Sequence, residues 1–175
     1  SEWGHEFRPE YRLLARLRDA FPEVPIAAFT ASATQRVRHE ILSLLKLRHP
    51  QRFITSFYRP NLRYLVKECT ADQQEKLLRA VLEEHEGDNA IVYAPTIKSV
   101  GETSAMLRRY GVENVTYHGQ MEADERRTNQ ERWMSDDVRV LVGTLAFGLG
   151  INKPTVRAVI HLAMPKSLEQ YYQEA

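Results

Sequence analysis

Leu13, Leu14, Leu17, Ala20 and Phe21 recur at the spacing of one helix face. They predict an amphipathic helix that opens near Pro9 and stops at Pro22. The apolar run Ile26-Ala27-Ala28-Phe29 then reads as a buried strand ending in the polar turn Thr30-Ala31-Ser32-Ala33-Thr34. Thr34 or Ser32 is placed to cap a second helix carrying Val37, Ile41, Leu44 and Leu45. Phe53-Ile54-Thr55 and Leu62-Arg63-Tyr64-Leu65-Val66 are strand-like pieces on either side of Arg59-Pro60-Asn61. That interruption is the candidate domain boundary, dividing the chain into residues 1–58 and 59–175.

Beyond the boundary, helical and extended patterns alternate. Leu77, Leu78, Val81 and Leu82 mark a helix, Ala90 to Tyr93 a strand, and Ile97, Val100, Leu107 and Tyr110 another helix. Val115 to Tyr117 follows as a short strand, Glu122 to Met134 as a mostly polar helix, and Val138 to Val142 and Val156 to Leu162 as two more strands. Strands alternating with helices of such length imply right-handed βαβ units, hence an α/β fold with a parallel sheet covered by helices on both faces.

Composition adds little to this pattern and excludes several classes. With 43% hydrophobic and 27% charged residues, 8 glycines and 8 prolines among 175 residues, the chain is neither disordered nor collagen-like. A single cysteine, Cys69, cannot form an internal disulfide. No stretch approaches the roughly 18 apolar residues of a membrane span, and residues 1–11 carry no apolar signal-peptide core, so an intracellular, soluble, non-membrane protein is expected. The net charge of +1 is a cancellation. Ser1 to Val66 hold 11 Lys or Arg against 6 Asp or Glu (+5), and Lys67 to Ala175 hold 13 against 17 (−4). A moderately basic front is compatible with phosphate contacts and equally with a solvated face.

In a parallel sheet, ligands bind just beyond the carboxyl ends of the strands, which points to the turns after Phe29, Tyr93, Tyr117 and Val142. The last is the most distinctive, Gly143-Thr144-Leu145-Ala146-Phe147-Gly148-Leu149-Gly150-Ile151-Asn152-Lys153-Pro154. Thr144 offers a hydroxyl and Lys153 a charge, while Gly148 and Gly150 either let a backbone approach phosphate or simply form turns. The crowded Trp3, His5, Phe7, Arg8 and Tyr11 could stack bases or cover the edge of a core. No glycine is followed by lysine, so no Walker P-loop is present; Asp124-Glu125 opens a helix; and the six histidines lack ligand spacing. These residues by themselves compose no complete catalytic site and no metal site.

Several of these segments, in order, resemble the motifs of RecQ-family DNA helicases, ATP-driven motors of superfamily 2. Ser1-Glu2-Trp3-Gly4-His5-Glu6-Phe7-Arg8-Pro9-Glu10-Tyr11 is similar to that family's aromatic-rich loop, which follows its Asp-Glu-x-His box. Thr30-Ala31-Ser32-Ala33 resembles motif III, and Phe57 to Tyr64 the hinge strand between two motor domains. Ile91 to Thr96 sits where motif IV belongs, although the family more often has a cysteine and an arginine there. Tyr117-His118-Gly119-Gln120-Met121, with Arg126, Gln130 and Trp133, resembles the next motif. Ala146 to Pro154 is close to motif V, and Tyr171-Tyr172-Gln173-Glu174-Ala175 to the opening of motif VI.

The resemblance implies the end of one RecA-like domain followed by most of a second, running from just after the acidic box to the start of motif VI. It implies an ATP-dependent, 3′ to 5′ DNA helicase of repair and recombination, with ATP and Mg2+ as cofactors, single-stranded and duplex DNA as partners, and a bacterial nucleoid or nuclear location. Trp3, Phe7 and Arg8 would sense DNA and Thr144 would meet its backbone, with Thr96, counted among the DNA-binding residues, Tyr93 and Arg126 as weaker carry-overs. Gly148, Gly150, Asn152 and Gln173 would line the nucleotide cleft, and Thr30 and Ser32 would couple the two. Lacking the Walker lysine, the acidic box and the motif VI arginines, these residues alone are expected to hydrolyse no ATP. Another superfamily 2 motor, or a non-catalytic DNA-binding module descended from a helicase, are the alternatives.

Overall fold

The computed structural model describes residues 13–30, 33–56, 59–147, 151–165, 167, 170 and 171. The chain divides into two compact units, residues 1–59 and 60–175.

In the first unit, α1 spans Ala15–Ala20 and α2 spans Gln35–Leu44. The helix expected from Pro9 is thus helical from Ala15 among the described residues, after a 3-10 turn at residues 13–14. Its end is held by Arg18, whose guanidinium donates to the carbonyls of Pro22 (3.1 Å) and Val24 (3.0 Å). Thr34, extended before α2, caps it, its hydroxyl accepting from the Val37 N–H at 3.3 Å. The strand expected at Ile26 to Phe29 does not form, and Phe29 is 94% exposed. A parallel strand needs a neighbour for its N–H and C=O groups, and no strand is present among the described residues of this unit. For the same reason Phe53 to Thr55 runs without pairing, with Phe53 89% exposed.

The second unit begins with a further departure, since Leu62 to Val66 is irregular rather than a strand. Five helical and extended patterns then appear close to where periodicity puts them: α3 (Ala71–Glu84), β1 (Asn89–Tyr93), α4 (Ile97–Arg109), β2 (Asn114–Tyr117) and α5 (Ala123–Met134), followed by β3 (Val140–Gly143) and β4 (Val156–His161). Thr70 and Gln73 form a capping box at α3, and Thr96 and Ser99 form one at α4. Among the described residues the strands make one parallel sheet in the order β2-β3-β1-β4.

Strand side chains alternate between faces, so each face collects its own core. Ala90, Val92, Val140 and Val142 pack with Leu78 and Leu82 of α3 and Val100, Met106 and Leu107 of α4. Ile91, Tyr93, Val115 and Leu141 pack on the other face with Trp133 of α5 and with Phe147. The sheet therefore carries helices on both faces, as the βαβ rhythm predicts. The polar α5 stays attached through few groups. Trp133 is fully buried and its indole N–H donates to the Arg139 carbonyl (3.2 Å), while the Asn129 amide donates to the Thr116 carbonyl (2.9 Å). Between α4 and β2, buried Ser104 donates to the Asn114 side-chain oxygen at 2.6 Å, and the Asn114 amide returns bonds to the carbonyls of Ser104 and Val112.

Replacing Trp133 by Ala should lower stability by about 3–5 kcal/mol, the usual range for emptying a large aromatic site. Urea denaturation of the wild-type and variant chains measures it, with the far-ultraviolet spectrum checking that the fold survives.

Candidate nucleic-acid and nucleotide interface

The strands end in register. Tyr117, Gly143, Tyr93 and His161 form one row across the carboxyl edge of the sheet. The ladder continues one step further, with Ala94 N–H donating to Gly143 (2.9 Å), Thr144 N–H to Tyr117 (3.0 Å) and Leu162 N–H to Tyr93 (2.9 Å). The loops leaving β1, β2 and β3 therefore depart from a rigid edge. Gly143 must lack a side chain there, since a Cβ would lie 2.9 Å from the Tyr117 carbonyl oxygen and 3.2 Å from Leu141.

Thr96 and Thr144 both stand on this edge, on loops following adjacent strands. Thr96 is exposed and committed to α4, its hydroxyl accepting from the Ser99 N–H at 3.0 Å. Thr144 is half-buried, and its carbonyl accepts from the Phe147 N–H at 3.0 Å in a tight turn. Phe147 anchors that turn. Its ring meets Trp133 edge-on at 5.4 Å and Tyr117 at 4.8 Å, and the buried Tyr93 hydroxyl donates to its carbonyl at 3.1 Å. Beside the row, Tyr93 stacks on His161 at 5.1 Å, which meets Tyr171 at 5.3 Å, and Tyr171 in turn meets Tyr64 at 5.5 Å.

Next to Tyr117 an open groove of about 340 Å³ is lined by Ala123, Arg126, Arg127, Gln130, Glu131 and Met134. Arg127 is tied to Asp124 at 2.9 Å and lies 4.0 Å from Glu131. Half-buried Arg126 makes no ion pair among the described residues. It lines the groove together with the exposed, ion-paired Arg127.

Asn152 is placed elsewhere. It is exposed and precedes β4, near the end at which the strands begin, and the structure does not bring it to the edge that holds Thr96 and Thr144. Its neighbour Lys153, offered by the sequence as a charge for a ligand, is already engaged. The Lys153 side chain is only 4% exposed, and its ammonium donates to the Asp136 carboxylate (2.7 Å) and to the Met134 carbonyl (2.9 Å). The hydrogen bond from Lys153 holds the Asp136 carboxyl below the ordinary aspartate range. Thr30 is exposed in the irregular segment before α2. Trp3, Phe7, Arg8, Ser32, Gly148, Gly150 and Gln173 lie outside the described residues.

Sequence reasoning passed over Gly143 as one glycine among several, and nothing in its local pattern marks it. The signal appears only when β2 and β3 lie side by side. The engagement of Lys153 was equally hidden, because Asp136 is distant along the chain.

Residues 72–175 match the family described as the helicase conserved C-terminal domain. The chain belongs to that family. Across 99% of its length it is 40% identical to the ATP-dependent helicase SGS1 of Saccharomyces cerevisiae and 43% identical to the ATP-dependent DNA helicase RecQ of Pasteurella multocida. The resemblance to RecQ-type helicases thus extends over nearly the whole chain. The chain spans 12% and 27% of the length of those two relatives. A solved structure of S. cerevisiae Dbp5 bound to RNA and ADP BeF3 superimposes with a TM-score of 0.73, covering 91% of this chain and 43% of that one at 18% identity. A second Dbp5 structure, bound to Gle1 and IP6, gives 0.74 over 95% of this chain. At such identities the likeness concerns the fold, which is α/β and RecA-like.

Both helicase relatives are named as ATP-dependent. Among the described residues no group of three or more His, Cys, Asp or Glu could hold a metal ion, and no helix is long and apolar enough to cross a membrane. No glycine-lysine pair occurs in the sequence, and no hydrolytic step is routed through the residues described.

The Gly143→Ala substitution should cost about 1–3 kcal/mol, because the neighbour it strikes is backbone. Gly119→Ala, where nothing lies within 4 Å of the added carbon, should stay within about 0.5 kcal/mol. Denaturation midpoints of the two variants, measured side by side, make the comparison.

Proposed function

We propose that this chain is the end of the first motor domain and most of the second in an ATP-dependent, 3′ to 5′ DNA helicase of the RecQ type, acting in repair and recombination in the nucleoid or the nucleus. The observation that carries this reading is the relatedness to RecQ-type helicases across 99% of the chain. The geometry supports this reading with a track for a strand. Thr96 and Thr144 stand on loops following adjacent strands of one hydrogen-bonded edge, and Arg126, without an ion pair among the described residues, brings a guanidinium to the groove beside it. Together they suit contacts to successive phosphates of a single strand, with duplex ahead of it.

In this reading the residues described here bind and orient the strand, whereas hydrolysis of ATP with Mg2+ depends on a P-loop lysine, an acidic box and arginine fingers in the rest of the protein. Trp3, Phe7 and Arg8 report strand binding to the ATP site through Thr30 and Ser32, while Gly148, Gly150, Asn152 and Gln173 face the nucleotide. The 175 residues alone hydrolyse ATP negligibly.

In the full protein, Trp3→Ala and Phe7→Ala should leave ATP binding intact and weaken the stimulation of ATP hydrolysis by single-stranded DNA. Equal stimulation in wild type and both variants would count against a sensing role. Strand binding should fall steeply with salt, as phosphate neutralisation releases counterions, and Arg126→Ala should reduce the slope of log K against log salt by about one. Thr144→Val should cost only the 0.5–1.5 kcal/mol or so of one hydrogen bond. An RNA-selective motor would instead show stimulation by RNA and not by DNA of the same sequence.

A further inference from the structure

Lys153 is the most thoroughly enclosed charge that this site contains. Its side chain is 4% exposed, against 53% for its partner Asp136. An ammonium withdrawn from water to that degree is tolerated only where several groups compensate it. Three do so here. Met134 closes α5, so its carbonyl is one of the unsatisfied acceptors at the negative end of a helix. Asp136 follows two residues later in the left-handed region (φ 65°) and presents its carboxylate to the same ammonium. The Trp133 ring centre lies 5.4 Å from the nitrogen. The anionic niche is thus built by the turn that ends α5, and Lys153 enters it from a different part of the chain.

Trp133 also touches Phe147, which fixes the segment just after β3. One end of the β3 to β4 connection is therefore packed against α5 through Phe147, and the other is bonded to α5 through Lys153. Asn152 is the residue next to that bond.

We propose that Lys153 is a positioning residue of the motor, clamped by Asp136 and the end of α5 so that Asn152 is presented to the nucleotide in a fixed orientation. This rests on the helicase reading above. Its ammonium is already taken up by Asp136 and the Met134 carbonyl, so it acts through its neighbour.

The test uses the full protein with Lys153→Met, which keeps the apolar stem, and Asp136→Asn, which keeps the shape and removes the charge. Active-site concentration is normalised by nucleotide titration. In both variants kcat/KM for ATP should fall about tenfold, carried chiefly by a rise in KM, since a misplaced positioning contact weakens engagement of the ligand. The DNA concentration giving half-maximal stimulation should change less than about twofold. Amide hydrogen exchange at residues 151–153 should accelerate in both, while exchange in β1 and β3 stays as in wild type. A purely structural salt bridge would lower the melting temperature and the active fraction but leave KM for ATP unchanged, and that result overturns the proposal. Unchanged exchange at residues 151–153 overturns it as well. If the wild-type protein shows no DNA-stimulated hydrolysis, the helicase reading itself fails, and exchange at residues 151–153 decides whether the clamp exists.

Discussion

A parallel sheet buried on both faces dictates most of what this protein can present. Parallel strands must be joined by crossovers, and crossovers place helices over each face, so no face is left for solvent or for a ligand. Here α3 and α4 cover one face and α5 covers the other, with alternate residues of β1 and β3 feeding two separate cores. What remains accessible is the ends of the strands. The register aligns Tyr117, Gly143, Tyr93 and His161 in one row, which makes the carboxyl end a flat, hydrogen-bonded shelf from which the loops rise. Thr96 and Thr144 owe their common location to that register and not to any attraction between them.

The unequal strength of the two coverings matters for function. The α3 and α4 side is conventionally apolar, with Leu78, Leu82, Val100 and Leu107 almost wholly buried. The polar α5 depends on Trp133 and on a few hydrogen bonds, and this same helix carries Arg126 and receives Lys153. A helix that spends few residues on the core has more of its surface free for arginines, glutamines and carboxylates. The connection from β3 to β4 leans on that helix twice, through Phe147 and through Lys153, so the segment resembling motif V and the arginine groove share one support.

Legibility in the sequence followed the density of apolar residues. Within the second unit α3, α4 and the four sheet strands were visible from their apolar patterns, because buried strands such as Ala90 to Tyr93 are apolar without interruption and α4 shows a clear face. In the first unit the same signal misled. Ile26 to Phe29 is apolar enough for a strand, yet pairing is a property of two segments, and an apolar run without a neighbour stays irregular. Leu62 to Val66, at the start of the second unit, is irregular as well, and its Tyr64 ring meets that of Tyr171. The candidate site residues were proposed chiefly from motif order, whereas the lack of an ion pair at Arg126 among the described residues and the engagement of Lys153 could not be read from charge alone.

The sequence by itself determined the alternation of elements in the second unit, a cap before α2 at Thr34 or Ser32, and the likeness to RecQ-type helicases. These depend on neighbours within a few residues, or on the order of motifs, and both are written along the chain. Only the tertiary structure decided that Gly143 must carry no side chain, that Ser104 and Asn114 satisfy one another, and that Lys153 belongs to Asp136 and the end of α5 rather than to a ligand. Each of these rests on groups far apart in sequence, and electrostatic and steric contacts depend on distance in space, which the fold alone sets.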